Sequence, residues 1–99
     1  MVNSTREISD WVVDLIGSDK FNIEDRHDYE GKKSVIKIYH KTGRRLATIT
    51  LKMDGDVLWV LYDIGGIGPK FEVPILLRPW HQVEDLGKTL YTLVESFIR

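Results

Sequence analysis

The sequence predicts a two-layer α+β domain, in which an N-terminal and a C-terminal amphipathic helix pack on one face of an antiparallel β-meander of four or five strands. Three observations predict this fold: apolar residues at helical spacing near both ends of the chain, alternating apolar residues between them, and turn signals whose strand registers agree. The chain has 99 residues, of which 42% are apolar, and this suffices for one hydrophobic core. We therefore expect one domain spanning residues 1–99.

The first helix is predicted to begin after Ser4. Residues 4–7 read Ser-Thr-Arg-Glu, a capping-box pattern in which the serine hydroxyl can accept from the Glu7 amide while the glutamate side chain reaches back. The apolar residues that follow recur at helical spacing and are Ile8, Trp11, Val12, Leu15 and Ile16. The helix is predicted to end at Gly17, because glycine readily takes the left-handed conformation found after many helices.

Three turn signals set the registers of the strands in the meander. They are Glu30-Gly31, Thr42-Gly43 and Asp54-Gly55, each treated as a two-residue turn. The predicted cross-strand pairs are Phe21 with His40, Ile23 with Ile38, Ile36 with Ile49, Ile38 with Ala47, Leu51 with Leu58, Ile49 with Val60, and Ala47 with Tyr62. Directly opposed residues share a face, so all three registers place apolar residues on the same inner face of the sheet.

The predicted strands span residues 21–26, 34–40, 45–53 and 57–63. Asp25 and His27 would fall on the inner, apolar face of the first strand, so we expect that strand to end or bulge there. A fifth extended segment spans residues 71–77. Because Pro74 lies inside it and cannot donate to a strand ladder, this segment is predicted to be an edge strand or an irregular arm.

The final helix is predicted from about residue 79 or 81 to residue 97. Its apolar stripe consists of Val83, Leu86, Leu90, Leu93, Val94, Phe97 and Ile98. Gly87 lies within this stripe, where it allows close helix packing at a cost of about 1 kcal/mol of helix propensity relative to Ala. Since both helices are amphipathic, the economical arrangement packs them together on the inner face of the sheet.

The opposite face of the sheet is the most informative feature for function. A merely solvated face would be mostly polar, but the registers place six apolar or aromatic residues there: Val35, Tyr39, Leu46, Val57, Trp59 and Leu61. Exposed apolar patches usually mark contacts, so we expect a protein-interaction or homodimer surface formed by Tyr39, Leu46, Val57, Trp59 and Leu61. Two alternatives stay open: residues 65–77 cover this face as an arm, or its apolar residues are simply exposed.

Basic residues lie at two hairpin ends and are candidates for nucleic-acid contacts: Lys32, Lys33, Lys41, Arg44 and Arg45. The formal net charge of −1 lacks the basic excess of a nucleic-acid binder. The order of elements resembles the double-stranded RNA-binding domain, a resemblance that implies a Lys-rich start to the last helix. Residues 80–85 instead contain Glu84 and Asp85. Nucleic-acid binding is therefore the alternative function, and solvated tips that discourage edge aggregation are the simpler interpretation.

No pattern in the sequence predicts catalysis, a metal site or a cofactor. The chain contains no cysteine, and its three histidines form no zinc-binding pair. The loop at residues 65–68 lacks the Lys-Ser/Thr of a phosphate-binding loop. If the protein were an enzyme, we would expect a pocket lined by Asp25, His27 or His81 with shifted pKa values.

We therefore expect a small non-enzymatic protein-interaction or regulatory domain. Such stand-alone domains are frequent among phage, prophage and bacterial accessory proteins, and the helix–sheet–helix plan is similar to that of some small phage inhibitors of host nucleases. Residues 1–10 contain no apolar core of a signal peptide, and the longest apolar stretches are too short to span a bilayer. A cytoplasmic protein that binds a protein partner or itself, and no membrane, is the expectation.

Overall fold

The computed structural model describes residues 2–99 and contains two helices and five strands in that part of the chain. In chain order they are α1 (Thr5–Ile16), β1 (Asn22–His27), β2 (Lys33–Tyr39), β3 (Arg45–Asp54), β4 (Val57–Ile64), β5 (Lys70–Leu76) and α2 (Val83–Ile98). The strands form one antiparallel sheet in the order β1-β2-β3-β4-β5. The predicted α+β meander with terminal helices is confirmed, with the fifth strand present as an edge strand.

Helix α1 begins directly after Ser4, as the sequence predicts, but the capping contact differs, and helix α2 begins later than predicted. The Ser4 hydroxyl accepts from the amide of Arg6 at 3.1 Å, and not from that of Glu7. Helix α2 begins at Val83, because residues 78–81 form a separate turn. In this turn the Arg78 amide donates to Nδ1 of His81 at 2.9 Å, and the His81 amide donates back to the Arg78 carbonyl at 3.0 Å.

The registers on both sides of β2 are the predicted ones. Ile23 lies opposite Ile38, which in turn lies opposite Ala47. Between β3 and β4 the prediction is wrong by two residues, because Leu51 pairs with Val60 and the two-residue loop is Gly55-Asp56. Gly55 has a φ of 61°, a value that glycine adopts without a steric penalty. Side chains alternate with a period of two, so a shift of two residues leaves every side chain on its predicted face.

Strand β1 has no bulge at Asp25, and it ends at His27, one residue beyond the predicted end. The strand continues in register to His27, which pairs with Ser34. The irregularity lies instead between β2 and β3, where the register shifts between Ile38 and Tyr39. Polar side chains are tolerated on the inner face of β1 because this strand is at the sheet edge, where Asp25 stays exposed.

The core lies between the inner face of the sheet and the two helices. Its sheet residues are fully buried and include Ile36, Ile38, Ala47, Ile49, Leu51, Leu58, Val60 and Tyr62. Helix α1 contributes Ile8 and Val12, and α2 contributes Leu90 and Val94. The buried Tyr62 hydroxyl donates to the Leu90 carbonyl at 3.0 Å, so its polar atom is satisfied inside the core.

Helices α1 and α2 pack against each other as well as against the sheet. Gly87 lies at their contact, where an added Cβ atom would come 2.5 Å from Cβ of Trp11. No side chain fits in that space, so the predicted role of Gly87 in close helix packing is confirmed.

The hydrogen bonds beside each edge strand show which backbone groups face outward there. The Ile64 amide donates to the Pro69 carbonyl, and the Leu77 amide donates to the Asp56 carbonyl. With the β4–β5 register, these bonds show which residues of β5 pair with β4 through their backbone and which face the free edge. The backbone of Pro74 faces the free edge, where proline has no N–H that could donate to another strand. At the other edge, the Asp28 amide donates to the Lys33 carbonyl. Backbone groups alternate in direction along a strand, so the N–H and C=O of Asp25 point away from the sheet.

Candidate protein-interaction surface

The outer face of the sheet is the side opposite the helices. Along β4, the residues that point inward are buried, whereas Val57, Trp59 and Leu61 are half-buried and point outward. Tyr39 on β2 is also half-buried. These four predicted residues lie on the face of the sheet opposite the two helices and are partly exposed.

Leu46, the fifth predicted residue, lies elsewhere. It packs against the core and lines a recess at the end of the sheet together with Ile64 and Phe97. The register shift between Ile38 and Tyr39 places Leu46 beside the irregularity in the ladder, and bulges of this kind change the direction of a side chain. Leu46 is therefore not part of the outer apolar surface.

Strand β5 extends the outer apolar surface. Pro74 lies opposite Trp59, and Leu76 lies opposite Val57. Leu76 is 44% exposed. We call the five residues Val57, Trp59, Leu61, Pro74 and Leu76 the apolar patch. Because β5 pairs beside β4 within the sheet, the alternative in which residues 65–77 cover the outer face is wrong.

Charged residues of both signs surround the apolar patch. A shallow recess of about 320 Å³ beside Trp59 and Leu61 is also lined by Lys33, Thr50, Lys52, Asp54 and Glu72. Lys52 lies directly opposite Trp59 on β3, and Glu72 lies directly opposite Leu61 on β5. An apolar centre with a polar rim is the usual anatomy of a protein interface.

A chain of polar side chains connects β1, β2 and the start of α1. Nε2 of His27 lies 3.2 Å from a carboxylate oxygen of Asp25, and Nδ1 lies 2.7 Å from the Ser34 hydroxyl. The Ser34 hydroxyl in turn lies 2.7 Å from the Thr5 hydroxyl. An acid–imidazole–hydroxyl order also occurs in serine hydrolases, but Ser34 has no exposed surface. Since a nucleophile must reach its substrate, this chain has the geometry of a structural anchor for α1.

Asp10 brings a second carboxylate to the same place. One carboxylate oxygen each of Asp10 and Asp25 and a ring nitrogen of His27 all lie within 4.8 Å of one another. We call these three residues the carboxylate–histidine cluster. The other two histidines lie elsewhere: His40 is hydrogen-bonded to Thr42, and His81 belongs to the turn before α2.

The basic residues proposed for nucleic-acid contacts are divided between the two ends of the sheet. Lys32 and Lys33 lie where β2 begins, whereas Lys41, Arg44 and Arg45 lie between the end of β2 and the start of β3. Lys41 donates to the Ser18 carbonyl at 3.1 Å, and Arg45 donates to the Thr48 hydroxyl at 3.1 Å. The basic residues therefore do not form one continuous surface.

Within residues 2–99, no helix is both long enough and apolar enough to cross a membrane. Comparison of the chain with known protein families, with curated proteins and with solved structures finds no match. A functional proposal for this protein therefore depends on its own geometry.

Proposed function

We propose that this protein is a small interaction domain that acts through the apolar patch, and that the patch binds the same patch on a second copy of the chain. The observation that carries the proposal is the contiguous, partly exposed apolar surface of Val57, Trp59, Leu61, Pro74 and Leu76 on the sheet face opposite the helices. Folding of one chain does not need these side chains on the outer face, because the core is complete on the inner face.

The charges around the patch favour self-association. In a two-fold interface the same surface meets itself, so it must carry either both signs of charge or neither. The outer face has Lys37 on β2 and Lys52 on β3, and it has Asp63 on β4 and Glu72 on β5. A second copy rotated by two-fold symmetry can therefore bring lysines of one protomer near carboxylates of the other.

The area of the face suggests a reversible dimer. Five strands that are about 4.8 Å apart and about seven residues long give a flat area on the order of 550 Å². Two such faces would bury at most about 1,100 Å² in total, because the apolar patch itself lies only on β4 and β5. This area is below the range of about 1,200–2,000 Å² for stable interfaces. We expect dimerisation to depend on protein concentration.

Sedimentation analysis over a concentration series tests this proposal. The wild-type protein should shift from monomer to dimer as its concentration rises, whereas Trp59→Lys and Leu61→Glu should remain monomeric. Circular dichroism should show that both variants keep the fold. The matched control is Ile67→Lys, which removes a fully exposed apolar side chain from the β4–β5 loop and should leave dimerisation unchanged.

Two results would contradict the proposal. A wild-type protein that stays monomeric at every concentration excludes self-association through this face. Unfolding of both Trp59→Lys and Leu61→Glu would mean that the outer face is part of the core of one chain and not an interaction surface.

Nucleic-acid binding is the alternative function, and its support is weaker. A surface that follows a phosphate backbone needs a continuous stripe of basic residues, whereas here Lys32 and Lys33 lie at the opposite end of the sheet from Arg44 and Arg45. If the alternative holds, affinity for RNA or DNA should be measurable at low salt and fall steeply as salt is added.

A further inference from the structure

Two lysines lie directly opposite each other on the outer face of the sheet. Lys33 on β2 pairs with Lys52 on β3, and like charges at directly opposed positions destabilise a sheet. Asp54 lines the same recess, but neither lysine forms an ion pair within residues 2–99. The single chain therefore provides no close counter-charge for this pair, which adjoins Trp59 because Lys52 lies directly opposite it.

A negative charge without a partner lies on the other side of β4. Glu72 on β5 is exposed and lies directly opposite Leu61, and it forms no ion pair within residues 2–99. Asp63, the next carboxylate of the outer face, is already ion-paired. Beside Trp59 and Leu61, the unpaired charge is thus positive on β3 and negative on β5, with the apolar residues of β4 between them.

This distribution of charge selects one direction for the two-fold axis of a dimer. When the strands of two packed sheets are aligned, the axis runs in the interface either across the strands or along them. An axis across the strands places β3 over β3 of the second copy and β5 over β5, so that like charges meet. An axis along β4 exchanges β3 with β5, and this direction sets the lysines against the carboxylates.

We propose, building on the dimer proposed above, that its two-fold axis runs along β4 and that Lys52 of each protomer pairs with Glu72 of the other. Trp59 then packs against Trp59 of the second copy. The cross-strand pairs place Pro74 over the partner's Lys52, and Glu72 over the partner's Thr50. Lys52 and Thr50 are two residues apart, which is about 7 Å along a strand. The long side chain of Lys52 can span this distance while its apolar stem packs on the proline.

The arrangement also limits the size of the assembly. Each protomer contributes one Lys52 and one Glu72, so two identical charge pairs form and the interface is closed after two copies. Strands β1 and β2 of each protomer lie beyond β5 of the second copy, because β5 is the last strand of its sheet. Charges on β1 are therefore outside the interface.

Charge reversal tests this arrangement by sedimentation over a concentration series. Lys52→Glu and Glu72→Lys should each weaken dimerisation about tenfold or more, because each change turns two attractive contacts into repulsive ones. The double variant Lys52→Glu/Glu72→Lys should recover to within about threefold of wild type, since the effects of contacting residues are not additive. A mixture of the two single variants should associate as well, because each carries the charge that the other needs.

The matched control is Arg26→Glu, which reverses an exposed positive charge on β1. Arg26 lies on the same outer face, opposite Val35, and its reversal should leave dimerisation close to wild type. Circular dichroism should show that every variant keeps the fold, and Lys52→Glu also removes the like-charge contact with Lys33.

The outcomes separate the charge pair from the dimer itself. If Trp59→Lys abolishes dimerisation but neither charge reversal weakens it, the dimer stands and the axis along β4 is wrong. A double variant that does not recover, or equal weakening by Arg26→Glu, would also overturn the pairing of Lys52 with Glu72. A wild-type protein that stays monomeric at every concentration overturns the dimer and, with it, the axis.

Discussion

The two faces of the sheet have the same alternation of side chains and different surroundings. Along β4, Leu58, Val60 and Tyr62 point inward and are fully buried under the helices, while Val57, Trp59 and Leu61 point outward and are half-buried. Both sets are apolar. The inner set is explained by folding, because α1 and α2 cover it, whereas the outer set lies on the face opposite the helices and stays partly exposed.

This difference separates two reasons for an apolar residue in a strand. An apolar residue on the covered face stabilises the fold by leaving water. On the uncovered face it gains little from folding and exposes apolar surface, so its presence needs an explanation outside the single chain. The following predictions test whether the two faces differ in the way that this comparison requires.

The largest expected effect comes from truncating matched leucines on the two sides of β4. Leu58→Ala should destabilise the fold by about 2–5 kcal/mol, because it leaves a cavity in the core. Leu61→Ala should cost clearly less at low protein concentration, where the chain is monomeric. Urea unfolding of both variants would measure this. Equal costs at low concentration would mean that the outer face is as tightly packed as the inner one.

A second prediction concerns how tightly the helices cover the inner face. Gly87→Ala gains helix propensity but places a Cβ atom 2.5 Å from Cβ of Trp11, so we expect a net destabilisation of about 1–3 kcal/mol. The control is Thr92→Ala on the exposed side of the same helix, which should have little effect. A Gly87→Ala variant with an unfolding midpoint at or above that of wild type would show that the two helices can separate without cost.

The smallest expected effect is a change in stability at high pH, which tests whether water is excluded from the Tyr62 hydroxyl on the covered face. Burial raises the pKa of Tyr62 well above its ordinary value. The folded protein therefore keeps the Tyr62 proton above pH 10, whereas the unfolded chain loses it there. This contribution to stability is fully present below about pH 10 and is lost as the pH rises towards the pKa of the folded state.

Tyr62→Phe isolates that contribution. The variant loses the hydrogen bond to Leu90, so it should be less stable than wild type by about 0.5–1.5 kcal/mol at pH 8. Above pH 10 the gap should narrow, because only the wild-type protein has this tyrosine to ionise on unfolding. Urea unfolding at both pH values gives the comparison, and a constant gap would indicate that water reaches the Tyr62 hydroxyl.

The fold was predictable from the sequence even where local details were wrong, because the alternation of side chains along a strand tolerates some errors of register. The β3–β4 register was wrong by two residues, but the pairs of Leu51 and Ile49 still lie on the correct face because side chains repeat with a period of two. No bulge forms at Asp25 and His27, although their polar side chains on the inner face suggested one, and the register shift lies between β2 and β3. The structure shows that an edge strand can keep such residues on its inner face when they have polar partners.

The candidate sites were less predictable because they depend on contacts between elements. Pro74 and Leu76 could be added to the apolar patch only once the register of β5 was known. Leu46 lies outside the apolar patch because of a register shift that no turn signal in the sequence marks. The carboxylate–histidine cluster requires Asp10 to meet β1, and the position of a helix over a sheet is set by core packing, which sequence periodicity does not specify.

Pro74 leaves the sheet only one edge that can accept a strand from another molecule. A strand from a neighbouring or partly unfolded molecule cannot complete a ladder at β5, because one of the outward donors is missing there. Such a strand can add at β1, where the charged side chains of Glu24, Asp25 and Arg26 disfavour pairing with another strand. The association of this protein through its sheet edges should therefore depend on the charges of one six-residue strand. Changes that neutralise them should favour pairing of two molecules through β1, and this pairing stops at two because only β5 edges are then left exposed.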